Sequence, residues 1–263
     1  MTQIKDILRV LESVAPLHLQ ESYDNAGLIV GDPEMEATGV LFCLDSTEAI
    51  VNEAVEKGCN LIVAHHPIVF RGLKRLNGAN YVERTVIQAI RRNVAICAIH
   101  TNLDNVYRQG VNAKIAEKIG LENTRILAPK PGADPNIGAG LLGTLPSPMS
   151  ATAFLQHLKK ALRTGCVRHT ALPGKPVRSV AVCGGSGSFL LPEVLKAGAD
   201  AFVSADFKYH EFFDAEGKII IADIGHFESE QFTIELLYEI VREKFHTFAL
   251  HLTEVNTNPV FYA

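Results

Sequence analysis

Short apolar runs rich in β-branched residues alternate along the chain with amphipathic segments of helical length, and this alternation constrains the fold more than any other feature. The predicted strands lie at 40–44, 61–64, 94–99, 140–145, 179–183, 201–204, 218–224 and 248–255. The predicted helices lie at about 48–57, 82–92, 111–119, 151–163, 189–197, 207–215 and 228–245, after an N-terminal amphipathic helix that carries Ile4, Ile7, Leu8 and Leu11. Strands that alternate with helices are typical of an α/β protein.

An internal repeat predicts two similar lobes. When Cys43 is aligned with Cys183, the segment 58–64 aligns with 198–205, so strand, helix and strand recur at an offset of about 140 residues. We therefore predict two interlinked α/β lobes whose mixed sheets are flanked by helices. A site built from both halves is expected between the lobes, where pockets are frequent.

The boundary between the lobes is expected near the segment 128–150, which is dense in proline and glycine. No helix tolerates that density, so the segment reads as a junction or as a loop folded over a site. The predicted domains are an N-terminal α/β lobe at 1–127 and a C-terminal α/β lobe at 128–263. Interleaving of the two lobes stays open.

Charge and cysteine usage exclude several classes of partner. A net charge of -4 and a pI of about 6.2 argue against DNA, RNA or an anionic membrane as partners. Nucleic-acid binding would require a local cluster of basic side chains, for example Arg71, Lys74 and Arg75. The 5 cysteines form no C-x-x-C pair, and no apolar run is long enough to span a bilayer. We expect a cytoplasmic protein with reduced thiols and no membrane or nucleic-acid partner.

Two adjacent histidines, His65 and His66 in "AHHPIVF", follow a predicted buried strand. Neighbouring side chains on a strand point to opposite faces, so both cannot serve one structural purpose if the strand continues. Ligand sites in α/β proteins lie beyond the carboxyl ends of parallel strands. Another segment, "HTNLD" with His100 and Asp104, also follows a strand. This favours metal binding over the alternative that His65 and His66 are hydrogen-bonded core histidines.

A second histidine motif, "GHFESE", places His226 and Glu230 four residues apart on the apolar face of a predicted helix. A carboxylate that faces a core must be paired or bound to a metal ion. The alternative is that Glu230 is hydrogen-bonded near the start of the helix, where the helix dipole favours it. The same spacing lets a helix present two ligands to one ion.

The donors outnumber those of one closed tetrahedral zinc site. The candidate metal ligands are His65, His66, Asp104, His226 and Glu230. Two ions per subunit that share a bridging carboxylate and keep positions for water fit this number best. Nitrogen and oxygen donors without thiolate suit zinc, manganese, iron or cobalt and do not select among them.

Weaker signals lie elsewhere. Gly184, Gly185 and Gly187 in "GGSGS" could cradle a phosphate with their N–H groups, or could simply form a tight turn between a strand and a helix. The Asp24-Asn25 stretch reads as a turn that supports the site. His100 is a partner that holds a ligand in place or a proton shuttle.

Several motifs resemble one protein family. "YDNAGLIVG", "AHHP", "HTNLD", "CGGSG", "DFKYHE" and "GHFESE" occur in the order found in the GTP cyclohydrolase 1 type 2 homologs. The resemblance implies a dinuclear metal site with the five ligands named above, and toroidal hexamers built as trimers of dimers with the metal pairs facing the interior. It also implies that this chain is the short form, without an inserted middle domain.

One stretch departs from the family pattern. The family usually has Thr-Gly-Asp or Thr-Gly-Glu where this chain has Ser204-Ala205-Asp206. Alanine in place of glycine narrows the allowed backbone conformations. Substrate contacts around Asp206 and His210 are therefore less transferable, whereas the metal ligands are unaffected.

The predicted function is metal-dependent hydrolysis of a small, nucleotide-like substrate, since two ions with open positions activate water and stabilise charge. His100 and His210 are the candidate catalytic acid and base. The alternative is a non-enzymatic metal-binding scaffold or metal-storage ring, which would need the same five ligands.

Overall fold

The structure, a computed structural model, describes residues 1–132 and 134–263. Its strands are β1 (Gly27–Val30), β2 (Val40–Cys43), β3 (Leu61–Ala64), β4 (Ala95–Ala98), β5 (Glu122–Pro129), β6 (Gly138–Met149), β7 (Arg168–His169), β8 (Val177–Ser186), β9 (Ala201–Ala205), β10 (Ile220–Asp223) and β11 (Leu250–Leu252). Its α-helices are α1 (Ile4–Val14), α2 (Glu48–Glu56), α3 (Tyr81–Arg91), α4 (Thr101–Asp104), α5 (Val111–Ile119), α6 (Ala151–Ala161), α7 (Leu191–Ala197), α8 (His226–Glu230) and α9 (Thr233–Arg242). Short 3₁₀ helices lie at Leu17–Leu19, Ser188–Leu190 and Tyr209–Ala215.

The chain divides into two compact units. Unit 1 consists of Met1–Leu103 and Thr233–Pro259, and unit 2 consists of Asp104–Phe232 and Val260–Ala263. These bounds differ from the predicted lobes at 1–127 and 128–263, because the last helix and strand return to the sheet of unit 1. The division into lobes at residue 127 remains a prediction.

Unit 1 is built on a five-stranded mixed sheet in the order β1-β4-β3-β2-β11. Strands β2, β3, β4 and β11 are parallel, and β1 pairs with β4 in the antiparallel sense. Every residue of β2, β3 and β4 is buried, as expected for parallel strands with helices on both faces. Parallel alignment brings the carboxyl ends of β2, β3 and β4 to one edge of the sheet.

Unit 2 is built on a six-stranded mixed sheet in the order β5-β6-β8-β9-β10-β7. Strands β8, β9 and β10 are parallel, and β5, β6 and β7 pair in the antiparallel sense. The carboxyl ends of β8, β9 and β10 therefore share one edge, as those of β2, β3 and β4 do in unit 1. The predicted α/β class with two mixed sheets flanked by helices is confirmed.

The internal repeat extends to individual hydrogen bonds. In unit 1, Asn60 Oδ1 accepts a bond of 2.8 Å from Thr38 N. At the equivalent positions of unit 2, Asp200 Oδ2 accepts a bond of 3.0 Å from Arg178 N. Each of these side chains ties the start of one parallel strand to the start of its neighbour, so the repeat preserves the device that sets the strand register.

Much of the proline- and glycine-rich segment 128–150 is a strand rather than a junction or loop, which corrects that prediction. β6 is 12 residues long, and its pairing with β8 is regular up to Thr144 and resumes only at Met149. Pro146 and Pro148 lie within this irregularity, where a missing N–H group removes no ladder bond. Residue 133 of the segment lies outside the described residues.

Three further differences concern helices and edge strands. The predicted helix at 228–245 is two helices, α8 and α9, and the predicted helix at 207–215 is the 3₁₀ helix Tyr209–Ala215. Strands β1, β5 and β7 were not predicted; each lies at the edge of its sheet. No helix among the described residues is both long and apolar enough to cross a membrane.

Candidate metal centre

Unit 1 brings three histidines together at the carboxyl edge of its sheet. His65 and His66 directly follow β3, and His100 follows β4. One ligand nitrogen from each of the three rings lies within 4.8 Å of those of the other two. Because β3 ends at Ala64, the alternation of side chains along a strand does not separate the tandem rings, whose centroids are 4.9 Å apart.

The tandem histidines are held through their Nδ1 atoms. His65 is fully buried, and its Nδ1 donates to the carbonyl oxygen of Ile99 at 2.7 Å. His66 Nδ1 lies 2.7 Å from Asp45 Oδ1, and the other oxygen of Asp45 accepts from Thr257 Oγ1 at 2.7 Å. A ring that donates from Nδ1 presents Nε2 as its coordinating atom, which is the usual arrangement of metal-ligating histidines.

His100 is held by a carboxylate in the same way. Its Nδ1 lies 2.7 Å from Asp24 Oδ1, and Asp24 Oδ2 accepts from the backbone N of Thr101 at 3.0 Å. Burial of Asp24 acts to raise its pKa, but the hydrogen bonds from His100 and Thr101 outweigh it and lower the pKa to about 2. Asp24 is therefore ionised at neutral pH and supports His100, in line with the predicted role of this turn.

Unit 2 pairs one histidine with two carboxylates. His226, the first residue of α8, places Nδ1 2.7 Å from Asp206 Oδ2 and Nε2 3.1 Å from Glu230 Oε2. Burial opposes the charge on His226, but the bonds to Asp206 and Glu230 outweigh it and raise its pKa to about 11. A proton on Nε2 thus lies between a nitrogen and a carboxylate oxygen, which are two donor types that also bind metal cations.

Glu230 lies against a glycine that leaves it room. Gly185 has a left-handed φ of +61°, and a β-carbon there would overlap Glu230 Oε1. Its N–H donates to Ser229 Oγ at 2.9 Å. The glycine thus lets the end of β8 approach α8 closely enough for the Glu230 carboxylate to fit.

The other glycines of the same stretch are also engaged. Gly184 N donates to Asn112 Oδ1 at 2.9 Å, and a β-carbon at Gly187 would overlap Ser204 Oγ. These contacts account for the glycines through packing. Phosphate binding by Gly184, Gly185 and Gly187 stays a prediction, and it would require the N–H groups of the first two to change partners.

Asp104 and His210 lie in different surroundings. Burial raises the pKa of the Cys183 thiol, and the negative charges of Asp104 and Glu230 raise it further. Both carboxylates are therefore near enough to Cys183 to affect its ionisation. His210 is exposed on the 3₁₀ helix Tyr209–Ala215, where its ring centroid is 5.1 Å from that of Tyr209. It is not among the described residues whose ligand atoms cluster.

Asp45 was not predicted as a functional residue, and Asp206 was predicted only to contact substrate. Asp45 follows β2 by two residues and Asp206 directly follows β9. Both aspartates therefore lie just beyond the end of a strand, which is the same signal that pointed to His65, His66 and His100.

The side chains of each unit fit a divalent metal ion. The Nδ1 atoms of His65, His66, His100 and His226 each contact an oxygen acceptor. Such contacts fix the tautomer and orientation of a ligand ring and raise its basicity. Glu230, 3% exposed, adds an oxygen donor of the kind that a bound cation compensates.

Comparisons with known proteins identify the family of the chain. The model of the family Duf34/NIF3 (NGG1p interacting factor 3) matches residues 2–259. The chain belongs to this family. A Clostridium acetobutylicum relative named GTP cyclohydrolase 1 type 2 homolog is 32% identical over 256 residues, which cover 97% of this chain and 93% of the relative. The resemblance predicted from the motifs is confirmed.

Longer Duf34/NIF3 relatives also match over their whole length. A Staphylococcus epidermidis relative of the same name is 27% identical over an alignment of 369 positions that covers 99% of this chain and 100% of the relative. This chain has 263 residues, so the relative contains a stretch that is missing here.

Solved structures show the same fold. A Bacillus cereus protein related to NIF3 superimposes with a TM-score of 0.93 at 24% identity, covering 100% of this chain and 99% of that one. The Staphylococcus aureus protein SA1388 gives a TM-score of 0.92 at 28% identity, with the same coverage.

Proposed function

We propose that the protein binds two divalent metal ions and catalyses metal-dependent hydrolysis of a small, nucleotide-like substrate. The observation that carries this proposal is the common state of four histidines, three in unit 1 and one in unit 2, whose Nδ1 atoms all contact oxygen acceptors. When bound, such ions lower the pKa of water and stabilise charge on the groups that react. The names of the relatives add support for a purine nucleotide as the substrate class.

The proposed metal ligands are His65 and His66 from unit 1 and Asp104, His226 and Glu230 from unit 2. Asp45, Asp206 and the Ile99 carbonyl orient the rings of three of them. Nitrogen and oxygen donors without thiolate leave zinc, manganese, iron and cobalt as alternatives.

His100 is proposed to move a proton during the reaction. Its Nδ1 is held by the ionised Asp24, so Nε2 is the atom that accepts or donates. Replacing His100 with Asn should lower turnover and leave the metal content unchanged. His210 is the second proposed acid or base, and His210→Ala tests it by the same two readouts.

The family resemblance extends the proposal to assembly, and the scattered, unpaired cysteines extend it to location. We propose a homo-oligomer, with a hexamer built as a trimer of dimers, in the cytoplasm. Mass photometry of the purified protein tests the number of subunits. A monomer at micromolar concentration would contradict this part of the proposal.

The test of the hydrolase combines metal analysis with a substrate screen. The metal content per chain is measured first, and purine nucleotides and phosphoesters are then screened with and without chelator. Turnover that disappears with chelator and returns with added metal supports the proposal. A fully metal-loaded protein that hydrolyses none of these compounds contradicts it.

The second candidate is a non-enzymatic scaffold that stores metal ions or whose fold is stabilised by them. The proposed ligands come from segments far apart in the chain, and His65 is fully buried. Metal bound by such ligands contributes directly to folding. An oligomer that dissociates on chelation and never turns over substrate would favour this alternative over the hydrolase.

A further inference from the structure

Unit 2 contains a cavity between β7 and the 3₁₀ helix Tyr209–Ala215. Its volume is about 590 Å³, and the side chains that matter most in its lining are Arg168, His169, Tyr209, Phe212 and Phe213. Cavities of this size hold small organic ligands. None of the proposed metal ligands is among the described residues that line it.

Arg168 presents a flat group whose orientation is fixed. One guanidinium nitrogen donates to Asp223 Oδ2 and another to the carbonyl oxygen of Phe207, both at 3.0 Å. The guanidinium carbon also lies 5.0 Å from the ring centre of Phe212. The side chain is nevertheless 55% exposed, so a planar ring can reach a guanidinium that is already held in place.

Two aromatic rings of the lining are unusually exposed. Tyr209 is 72% and Phe213 is 65% exposed, and their ring centroids are 5.6 Å apart with the planes at 72°. The ring of His210 lies roughly parallel to that of Phe213, with centroids 6.3 Å apart and an interplanar angle of 28°. Exposed aromatic groups beside a cavity commonly mark a binding surface.

The charges of the lining cancel locally. The guanidinium of Arg168 is paired with Asp223, which is 4% exposed, and Glu216 is paired with Lys218. A ligand is therefore selected by stacking rather than by a net charge. Bases of nucleic-acid constituents stack on both aromatic rings and arginine guanidinium planes.

We propose that this cavity binds the base of a purine nucleoside, stacked on the Arg168 guanidinium and on the ring of Phe213, with the ring of Tyr209 meeting the base edge to face. A bicyclic base with its sugar uses a cavity of this volume better than a single ring does. The inference does not depend on the proposed hydrolysis, since no metal ion takes part in the binding.

The test is equilibrium dialysis or calorimetry with adenosine and guanosine on the full-length, chelator-treated protein. Saturable binding of both nucleosides is expected, and ribose should not compete because it has no aromatic base to stack. Phe213→Ala should weaken binding about tenfold, the loss typical of one base-aromatic stack. Arg168→Lys keeps the charge, removes the planar group and should weaken binding to a similar extent.

The matched control is Phe189→Ala. Phe189 is also an exposed phenylalanine of unit 2, at 66%, but it is not among the lining residues. Circular dichroism melting verifies that each variant folds, and Tyr209→Ala replaces Phe213→Ala if the latter does not. The proposal is overturned if wild-type protein binds neither nucleoside, if Phe189→Ala loses as much affinity as Phe213→Ala, or if Phe213→Ala changes only the oligomeric state.

Discussion

Units 1 and 2 share a layout but offer different donor atoms. Both contain three adjacent parallel strands with polar side chains just beyond their carboxyl ends. In unit 1 these side chains include three clustered imidazoles, whereas those of unit 2 include the imidazole of His226 and the carboxylates of Asp206 and Glu230. The same architecture thus provides mainly nitrogen in one unit and mainly oxygen in the other.

Equivalent positions have exchanged roles between the units. At the offset of the repeat, His66 corresponds to Asp206. In unit 1 this position carries His66, and Asp45, which follows the neighbouring strand β2, holds its ring. In unit 2 the position carries Asp206, which holds the ring of His226. The pairing of histidine with aspartate is therefore common to both units, although the residue that carries each part differs.

Removing one proposed ligand from each unit should give the largest effect. His66→Ala and Glu230→Gln are each expected to lower metal affinity by at least about 100-fold, since loss of a ligand exceeds loss of a supporting residue. Elemental analysis after dialysis measures the bound metal. His157→Ala is the control, because His157 Nε2 contacts the Ile119 carbonyl at 2.7 Å and lies outside both clusters. Full metal retention by His66→Ala would remove unit 1 from the proposed site.

Replacing the aspartates that hold the histidines should give a smaller effect. Asp45→Asn and Asp206→Asn are expected to lower metal affinity ~10–100-fold, because a neutral amide orients and polarises the ring less well. Asn also tolerates the left-handed backbone of Asp206, whose φ is 59°. Competition with a chromophoric chelator measures the change. An effect confined to one of the two variants would show that the units do not support their histidines alike.

Adding a methyl group at two glycines of unit 2 should distinguish close packing from backbone strain. Gly198→Ala meets open space and is expected to cost about 1 kcal/mol for its left-handed conformation. Gly185→Ala has the same strain and also displaces the Glu230 carboxylate, so the free energy of unfolding should fall by about 2–3 kcal/mol. Urea denaturation midpoints measure both. Equal costs would mean that β8 and α8 are free to separate.

The contacts of Asn60 and Asp200 that set the strand register should differ between the units in their pH dependence. Burial acts to raise the pKa of Asp200, but hydrogen bonds from the backbone of Ser179 and Arg178 and from Lys175 outweigh it and lower the pKa. A lowered folded-state pKa gives stability above the unfolded-state value near pH 4 that is lost as the pH falls through the folded-state value.

The corresponding experiment compares Asp200→Asn with Asn60→Ala. The cost of Asp200→Asn should be on the order of 1 kcal/mol at neutral pH and should shrink as the pH falls below about 4. The cost of Asn60→Ala should stay constant, since an amide does not titrate. Urea midpoints over this pH range measure both, and a constant cost for Asp200→Asn would contradict the assigned role of its charge.

Much of the fold was predictable because its central strands are continuous apolar runs. β2, β3, β4 and β10 fall within predicted strands, and the predicted strands at 179–183 and 201–204 fall within β8 and β9. The edge strands β1, β5 and β7 escaped prediction because they are short or half exposed, and their antiparallel pairing depends on distant partners. The break between α8 and α9 also escaped, since neither glycine nor proline marks it.

The clustering of His65, His66 and His100 could be predicted because their position after strands is a local property of the sequence. The chain itself determined the α/β class, the positions of His65, His66 and His100 just after strands, and the spacing of His226 and Glu230 on a helix. The tertiary structure alone decided which oxygen holds each ring. His100 meets Asp24 across 76 positions of the chain, and His65 meets the Ile99 carbonyl across 34. Such contacts depend on the order of strands in a sheet, which is set by the packing of the whole unit and leaves no local pattern in the sequence.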